Sequence, residues 1–188
     1  MNRENKVVIA GIGGSLRNGS FSKKVLEKAR KLMPEGSSLQ LADISSIPIF
    51  NADHLREPSA PVVDFRNLID HSDGFLIVTP EYNYSVPGYL KNAIDWASVP
   101  NNVFAKKIGA IMSSSTGMIG GARAQYHLRQ SFVFLDARIL NRPEVIINFV
   151  DKKINEMGEF VDEIAEKFMR DLLNNLVFEV KNQKSLAR

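Results

Sequence analysis

The chain has 188 residues, of which 44% are hydrophobic and 24% are charged, and it contains no cysteine. A chain of this length buries enough apolar surface to fold without disulfides or a structural metal. The missing cysteines exclude disulfide frameworks, thiolate zinc sites, iron–sulfur clusters and a cysteine nucleophile. We therefore expect one domain over residues 1–188.

The charges are nearly balanced, with 24 basic and 21 acidic residues and a net charge of +3. The basic residues form scattered pairs rather than the stripe typical of nucleic-acid binders, so we predict no nucleic-acid partner. The histidines His54, His71 and His127 are too far apart for a common metal motif, so we predict no metal. No apolar run approaches the ~20 residues of a membrane span, and the polar start of the chain is unlike a signal peptide. These features favour a cytoplasmic protein.

Strand and helix patterns alternate along the chain without repeats or linkers. The first segment, 6–12, is almost continuously apolar, as in a strand buried on both faces of a parallel sheet. Pro61 and Pro87 fall where helices accept proline, in the first turn. In chain order we predict strands at 6–12, 38–43, 74–79 and 107–113, helices at 20–33, 61–71, 87–96 and 120–135, and irregular chain at 47–54.

The C-terminal part adds one strand and one helix. The fifth strand lies within 137–150 and is interrupted at Pro143, because proline cannot donate to the ladder. We expect a helix at about 159–176 and a mobile tail at 178–188 that contains Lys181, Lys184 and Arg188. The helix has a predicted apolar face of Val161, Ile164, Ala165, Phe168, Leu172 and Leu176.

This alternation predicts an α/β fold with five parallel strands in a three-layer sandwich and helices on both faces. In such sheets, ligands bind beyond the carboxyl ends of the strands. The loops after the first, third and fourth strands are therefore the expected site.

The loop after the first strand, GIGGSLRNGSFS at 11–22, combines glycines, hydroxyls and an arginine directly before a helix. The hydroxyls of Ser15, Ser20 and Ser22 can donate to an anion, Arg17 supplies a charged fork, and the helix amino end favours negative charge. We interpret the loop as a phosphate site, the alternative being a turn that only joins strand to helix.

Three better-known motifs each fail here at one position. A P-loop needs lysine at Ser20, a Rossmann fingerprint needs glycine at Leu16, and a serine nucleophile elbow needs glycine at Arg17. Asp43, at the end of the second strand, keeps a dinucleotide site open as an alternative.

The other two loops favour a planar ring beside that phosphate. In PEYNYSVPGYLKNAIDW, which follows the third strand, Tyr82 and Tyr84 offer flat faces, and the main chain of 80–84 can bind a ring edge. An aromatic strand end packed under a helix is the alternative. The loop at 113–121, SSSTGMIGG, can turn backbone N–H groups towards a ring edge that gains negative charge.

Together GSLRNGS, PEYNYSVPGYLKNAIDW and GGARAQYHLRQ resemble the NADPH-dependent FMN reductase family of flavodoxin-like proteins, closest to its quinone and chromate reductases, over residues 6–150. The resemblance implies the strand order 2-1-3-4-5, with FMN between the first and third strands. It implies phosphate contacts from Ser15, Arg17, Ser20 and Ser22, although asparagine is common at the last position. It implies ring contacts from Pro80, Glu81, Tyr82, Asn83, Tyr84, Ser115 and Gly117.

Family members form dimers that often pair into tetramers, so the resemblance implies a homodimer or homotetramer. Tyr89 and Trp96 either pack under the helix or form a face that could meet a partner near the flavin. Arg123 and Tyr126 could also orient an electron acceptor. We consider two interpretations of Arg123, Tyr126, Arg129 and Glu144. They form charge-assisted hydrogen bonds that join dimers, or they are exposed charges that contribute little.

The resemblance implies an FMN-dependent oxidoreductase with NADH or NADPH as donor. The donor reduces the flavin and leaves before a quinone, chromate, azo compound or free flavin takes two electrons, in a ping-pong sequence. No side chain is assigned as acid, base or nucleophile, because the cofactor carries the chemistry. A flavodoxin-like FMN electron carrier and a non-redox nucleotide-binding module are the alternatives.

Overall fold

The computed structural model describes residues 6–186. They form a parallel sheet in the predicted flavodoxin-like order 2-1-3-4-5, and a sixth strand also pairs with the fourth. The strands are β1 Val7–Gly13, β2 Ser37–Ala42, β3 Gly74–Thr79, β4 Ile108–Ser114, β5 Arg138–Ile139 and β6 Val145–Ile147. The helices are α1 Phe21–Lys31, α2 Ala60–Asp70, α3 Gly88–Ser98, α4 Ala122–Phe134 and α5 Glu163–Leu186.

Helices cover both faces of the sheet and bury an apolar core on each face. Val25 of α1 and Leu172 of α5 belong to one core. Phe65 of α2, Ile94 of α3 and Phe132 of α4 belong to the other. Because both faces are covered, the central strands are continuously apolar rather than alternating, as predicted for 74–79.

The sequence locates the first eight elements to within two residues of their observed ends. The predicted break in the fifth strand is also confirmed, because β5 and β6 pair separately with β4. A short 3-10 helix, Ala52–His54, lies in the stretch predicted to be irregular.

The last helix corrects two predictions. The face that packs on the sheet consists of Met169, Leu172, Leu173, Leu176, Val177 and Val180, which recur at helical spacing. Val161 precedes the helix, and Ile164 and Phe168 are 74% and 47% exposed, so the predicted face is wrong at these three residues. Ala165 packs against the core as predicted, and the fully buried stripe starts from Met169.

The predicted tail is wrong through residue 186, because α5 continues to Leu186. Val180 is buried, and the Lys184 ammonium pairs with Asp73 Oδ1 at 2.6 Å. Contacts with the amino end of the sheet therefore hold this part of the helix. Arg188 lies outside the described residues.

Within residues 6–186, no helix is both long enough and apolar enough to span a membrane. Over the same range, no three His, Asp or Glu side chains are grouped so that they could hold a metal ion.

Candidate functional site

The strand register brings three loops together at one edge of the sheet. Gly13 of β1 lies opposite Val78 of β3, and Thr79 of β3 lies opposite Ser113 of β4, so the three strands end side by side. The Gly14 N–H donates to the Val78 carbonyl at 2.9 Å and ties the first loop to the third strand. The loops after β1, β3 and β4 therefore meet as predicted.

Four buried serines form a feature that we call the hydroxyl cup: Ser15, Ser20, Ser22 and Ser114. Each is at most 3% exposed. The Ser20 and Ser22 hydroxyls are 3.0 Å apart, and Ser20 Oγ accepts the Lys23 N–H at 3.2 Å as the N-cap of α1. The cup lines a cavity of about 120 Å³ whose other walls are Arg17, Phe21, Pro80, Glu81, Tyr82, Ser115 and Thr116.

Ser114 is a site residue that the sequence analysis missed. Its hydroxyl is buried and has no hydrogen-bond partner among the described residues. The predicted strand ended one residue too early, at Ser113, whose hydroxyl accepts a hydrogen bond from the Gln125 amide at 3.2 Å. Strand alternation could have indicated Ser114, because successive side chains of a strand point to opposite faces and Ser113 and Ser114 are therefore in different environments. A buried hydroxyl without a partner is costly, and a bound ligand would compensate it.

The electrostatics of the cup favour an anion. Arg17 is exposed at the rim and forms no ion pair with any residue between 6 and 186. The amino end of α1 follows directly, and its first turn contains no acidic residue. Its free N–H groups carry partial positive charge. Hydroxyl donors, a cation and a helix amino end are the groups that bind phosphate.

A two-residue turn with left-handed backbone forms the aromatic part of the site. Tyr82 and Ser85 exchange two N–H to carbonyl hydrogen bonds, each 3.0 Å long. Between them Asn83 and Tyr84 have φ values of 47° and 71°. Asparagine adopts this conformation readily, whereas for tyrosine it costs roughly 1–3 kcal/mol and persists only where neighbours hold it.

The turn joins the cup on one side and opens to solvent on the other. Tyr82 lines the cavity, and its hydroxyl is 3.1 Å from Ser15 Oγ. Asn83 is exposed and Tyr84 is 67% exposed, and neither lines the cavity. The structure thus places Pro80, Glu81 and Tyr82 with the cup and leaves Asn83 and Tyr84 on the outer surface.

The Glu81 side chain is 9% exposed and is bonded to the start of α4. Glu81 Oε1 lies 2.7 Å from Arg123 Nε and 2.6 Å from Arg123 Nη2, and Glu81 Oε2 accepts the Ala124 N–H at 3.4 Å. The hydrogen bonds to Glu81 raise the pKa of the Arg123 guanidinium above its ordinary value. The same guanidinium stacks on the Tyr84 ring, 3.4 Å from its centroid.

The third loop is tied to β6 as well as to β4. The Ser115 N–H donates to the Ile147 carbonyl at 3.0 Å, and the Gly117 N–H donates to Ser115 Oγ at 3.1 Å. Gly120 has a φ of 63°, and a Cβ there would lie 2.7 Å from Ile146 Cγ2. Glycine is therefore required where the loop turns against β6.

The structure decides between the two placements predicted for Trp96. It is 1% exposed, and its indole N–H donates to the Pro48 carbonyl at 2.9 Å, so it is a core residue and offers nothing to a partner chain. Tyr89 is half exposed. On α3, the Trp96 side chain therefore lies in the core and the Tyr89 side chain lies at the surface.

The polar residues further along α4 have partners within the chain. The Tyr126 hydroxyl donates to Glu144 Oε1 at 3.3 Å. Arg129 donates to the Leu140 carbonyl at 3.0 Å, and burial lowers the pKa of its guanidinium. Tyr126 is 48% exposed. The pair formed by Tyr126 and Glu144 lies at the surface.

Asp43 has a local structural role. Its Oδ1 accepts the Ser45 N–H at 2.8 Å, and hydrogen bonds from the Ser45 side chain and backbone lower the pKa of the carboxyl. A carboxylate bonded to the N–H two residues later forms an Asx turn, which ends the second strand here.

The residues present fit FMN. The cup and Arg17 suit its phosphate, and Ser114 supplies an unused buried hydroxyl at the same place. The cavity of about 120 Å³ is smaller than the roughly 300–1,000 Å³ of pockets that enclose whole ligands. Only the phosphate end would therefore be enclosed, and the ring would lie in the open beside the Tyr82–Ser85 turn.

Comparison with known proteins identifies close relatives. The sequence profile of the family described as NADPH-dependent FMN reductase matches residues 7–152. An NAD(P)H-dependent FMN reductase of Pseudomonas aeruginosa is 46% identical over 172 residues, covering 90% of this chain and 93% of that protein. A quinone reductase of Escherichia coli K12 is 45% identical over 163 residues, covering 84% and 87%.

A solved structure of high similarity is FerB of Paracoccus denitrificans, a flavoenzyme NAD(P)H:(acceptor) oxidoreductase. It superposes with a TM-score of 0.86 at 31% identity and covers 94% of this chain and 98% of its own. The likeness in sequence and in fold extends over almost the whole chain.

Proposed function

Because the chain belongs to the NADPH-dependent FMN reductase family, we propose that it is an FMN-dependent NAD(P)H:quinone reductase. The observation that carries the proposal is the hydroxyl cup, which unites Ser15, Ser20 and Ser22 of the first loop with Pro80 and Glu81 of the second in one cavity. NADH or NADPH is the donor, as in the related enzymes. The net reaction takes a quinone, NAD(P)H and a proton to a hydroquinone and NAD(P)⁺.

The cup binds the FMN phosphate in this proposal. Ser15, Ser20, Ser22 and Ser114 donate hydroxyl hydrogen bonds, and Arg17 closes over the phosphate from the rim. Each hydrogen bond to a charged group contributes about 1.5–3 kcal/mol, so several of them hold the cofactor through repeated turnovers. The Ser20 and Ser22 hydroxyls are bonded to each other, so one of them donates within the pair and the other keeps its proton for the phosphate.

The second and third loops border the flavin ring. Pro80 and Tyr82, which line the cavity, would hold the ring together with Asn83 and Tyr84 of the turn. The segment from Ser115 to Gly117 would contribute contacts from the third loop. When bound, FMN would accept a hydride from NAD(P)H and then reduce the acceptor, so that donor and acceptor use one open face in turn. Side chains position the ring, and none acts as acid, base or nucleophile.

The open ring end favours a permissive acceptor site. Quinones are the first choice because several relatives are named as quinone reductases. Chromate, azo compounds and free flavin are further candidates for the same face. Arg123, which stacks on Tyr84, and Tyr126, which is 48% exposed on the same helix, are the candidates to orient an acceptor.

A homodimer or homotetramer is part of the proposal. Half-exposed Tyr89 on α3 is available to a partner chain near the flavin, and the surface pair of Tyr126 and Glu144 is available for a second contact. Light scattering coupled to size-exclusion chromatography measures the mass directly. A monomer at micromolar concentration would remove this part of the proposal.

Ligand identification and kinetics test the main proposal. We expect the purified protein to be yellow, and heat should release a ligand with the mass of FMN. With saturating benzoquinone it should oxidise NADH or NADPH continuously, and initial rates at several fixed quinone concentrations should give parallel double-reciprocal lines.

Each failed outcome identifies an alternative. Bound FMN without turnover of NAD(P)H would indicate a flavodoxin-like electron carrier. A colourless protein that takes up no FMN from excess, with a nucleotide bound instead, would indicate a non-redox nucleotide-binding module. Intersecting lines would contradict the ping-pong sequence and leave the reductase activity in place.

A further inference from the structure

Glu81 connects two of the loops that surround the site. Its side chain is 9% exposed, and its oxygens contact the Arg123 guanidinium and the Ala124 backbone N–H. Arg123 is 42 residues away along the chain, so the contact is purely tertiary. Both carboxylate oxygens are therefore bonded to α4, although the side chain also lines the cavity.

Helix α4 has no side-chain cap of its own. Its N-cap is Gly121, in left-handed conformation with a φ of 86°. Glu81 Oε2 accepts an N–H of the first turn, that of Ala124, from a different loop. A carboxylate at a helix amino end is stabilising, because the free N–H groups carry partial positive charge. Glu81 thus performs for α4 the task that a serine or aspartate usually performs locally.

Arg123 completes the connection to the turn. While its guanidinium is bonded to Glu81, it also stacks on Tyr84, 3.4 Å from the ring centroid. Tyr84 is the residue of the turn whose φ of 71° a tyrosine does not favour by itself. A strained turn requires such outside support to stay in one conformation.

We propose that Glu81 and Arg123 form a clamp that fixes the Tyr82–Ser85 turn against α4 and thereby positions the ring end of the flavin site. Glu81 is then a positioning residue rather than a cofactor ligand, and Arg123 acts first on the turn. This inference rests on the proposed function for its link to FMN, while the clamp itself is a property of the chain.

Flavin binding to the apoprotein separates the ring end from the phosphate end. Quenching of flavin fluorescence gives the affinity for FMN and for riboflavin, which has the same ring and no phosphate. Glu81→Gln keeps the shape and removes the charge, and we expect about tenfold weaker binding of both flavins. Asp95→Asn is the matched control, because it removes the exposed Lys91–Asp95 pair of 2.6 Å elsewhere and should change neither affinity.

Amide hydrogen exchange tests the clamp without any flavin. The Tyr82 and Ser85 N–H groups are hydrogen-bonded within the turn, so both should exchange about tenfold faster in Glu81→Gln, while amides of the central strands keep their wild-type rates. Arg123→Ala should have the same effect, and the double variant should add little, because the two residues act as one unit. If Glu81→Gln does not fold, Arg123→Ala supports the same measurements.

The outcomes distinguish the clamp from the proposed function. Wild-type exchange rates at Tyr82 and Ser85 in both single variants overturn the clamp, whatever the flavin affinities are. Faster exchange with unchanged riboflavin binding overturns its role at the ring end. A wild-type apoprotein that binds neither flavin overturns the proposed function, and the exchange experiment still decides whether the clamp exists.

Discussion

The hydroxyl cup and the Tyr82–Ser85 turn lie side by side, yet they are built in opposite ways. Three of the four cup serines come from one short loop, and each of the four is at most 3% exposed. The turn is largely exposed, has left-handed backbone at two residues, and is contacted at Tyr84 by Arg123 from a distant part of the chain. The residues proposed to bind phosphate are mostly close together in the sequence, whereas those proposed to border the ring come from separate parts of the chain.

This contrast predicts different sensitivities at the two ends of the ligand. Phosphate binding is concentrated in a few charge-assisted hydrogen bonds, so single substitutions there should have large effects on FMN and none on riboflavin. Ring binding depends on the shape of the turn, so substitutions there should act on both flavins through the backbone.

The largest expected effect is at the phosphate end. Arg17→Ala should weaken FMN binding by roughly 10-fold to 150-fold, or about 1.5–3 kcal/mol, because it removes a charged donor from the rim of the cup. Riboflavin binding should stay at its wild-type value. Titration of the apoprotein with each flavin measures both quantities.

Arg170→Ala is the control for that experiment, since Arg170 is an exposed arginine on α5. It should bind both flavins as the wild type does. Equal losses of FMN and riboflavin affinity in Arg17→Ala would mean that Arg17 does not bind the phosphate. The predicted difference between the phosphate end and the ring end of the ligand would then be wrong.

An intermediate effect is expected in the turn. Asn83 has a φ of 47°, a conformation in which a β-branched side chain is strained. Asn83→Val should lower the free energy of unfolding by about 1–2 kcal/mol, as measured by urea denaturation. Asn83→Gly removes the same amide and tolerates the left-handed backbone, so its stability should stay much closer to that of the wild type.

The Asn83 pair also tests the site. Valine is strained in the left-handed backbone at residue 83, so Asn83→Val should change the conformation of the turn. It should therefore weaken FMN and riboflavin binding by similar factors, and Asn83→Gly should weaken them less. Equal stability of the two variants would show that the left-handed turn is not maintained in solution.

The smallest effect is expected at Asp43, beside the phosphate loop. Asp43→Asn should change stability at neutral pH by no more than about 0.5 kcal/mol and should leave flavin affinity and the choice between NADH and NADPH unchanged. A shift in donor preference would restore the dinucleotide interpretation of the second strand end.

The pH dependence of stability gives a further test of Asp43→Asn. Hydrogen bonds from Ser45 hold the pKa of the Asp43 carboxyl below its ordinary value in the folded protein. Its contribution to stability is therefore present above that ordinary value and is lost as the pH falls through the folded pKa. The stabilities of wild type and Asp43→Asn should therefore converge in acid. A difference that grows with falling pH would contradict the assignment.

The sequence by itself determined the sheet, the edge at which three loops meet, and most of the cup. Continuous apolar runs such as 74–79 are typical of strands covered on both faces, and glycines and prolines mark where they stop. Ser15, Arg17, Ser20 and Ser22 could be proposed as phosphate ligands because the signal is local: the residues share one loop, and the loop opens a helix.

Only the tertiary structure decided the phase and length of α5, the burial of Trp96, the orphaned hydroxyl of Ser114 and the partner of Glu81. In α5 both stripes have helical spacing, and packing against the sheet selects the one that begins at Met169. In the sequence Glu81 cannot be distinguished from any other carboxylate in a loop, because its partner Arg123 approaches it only in the folded chain. Helical periodicity and loop chemistry are properties of neighbouring residues, whereas burial and pairing depend on segments that the chain joins only when it folds.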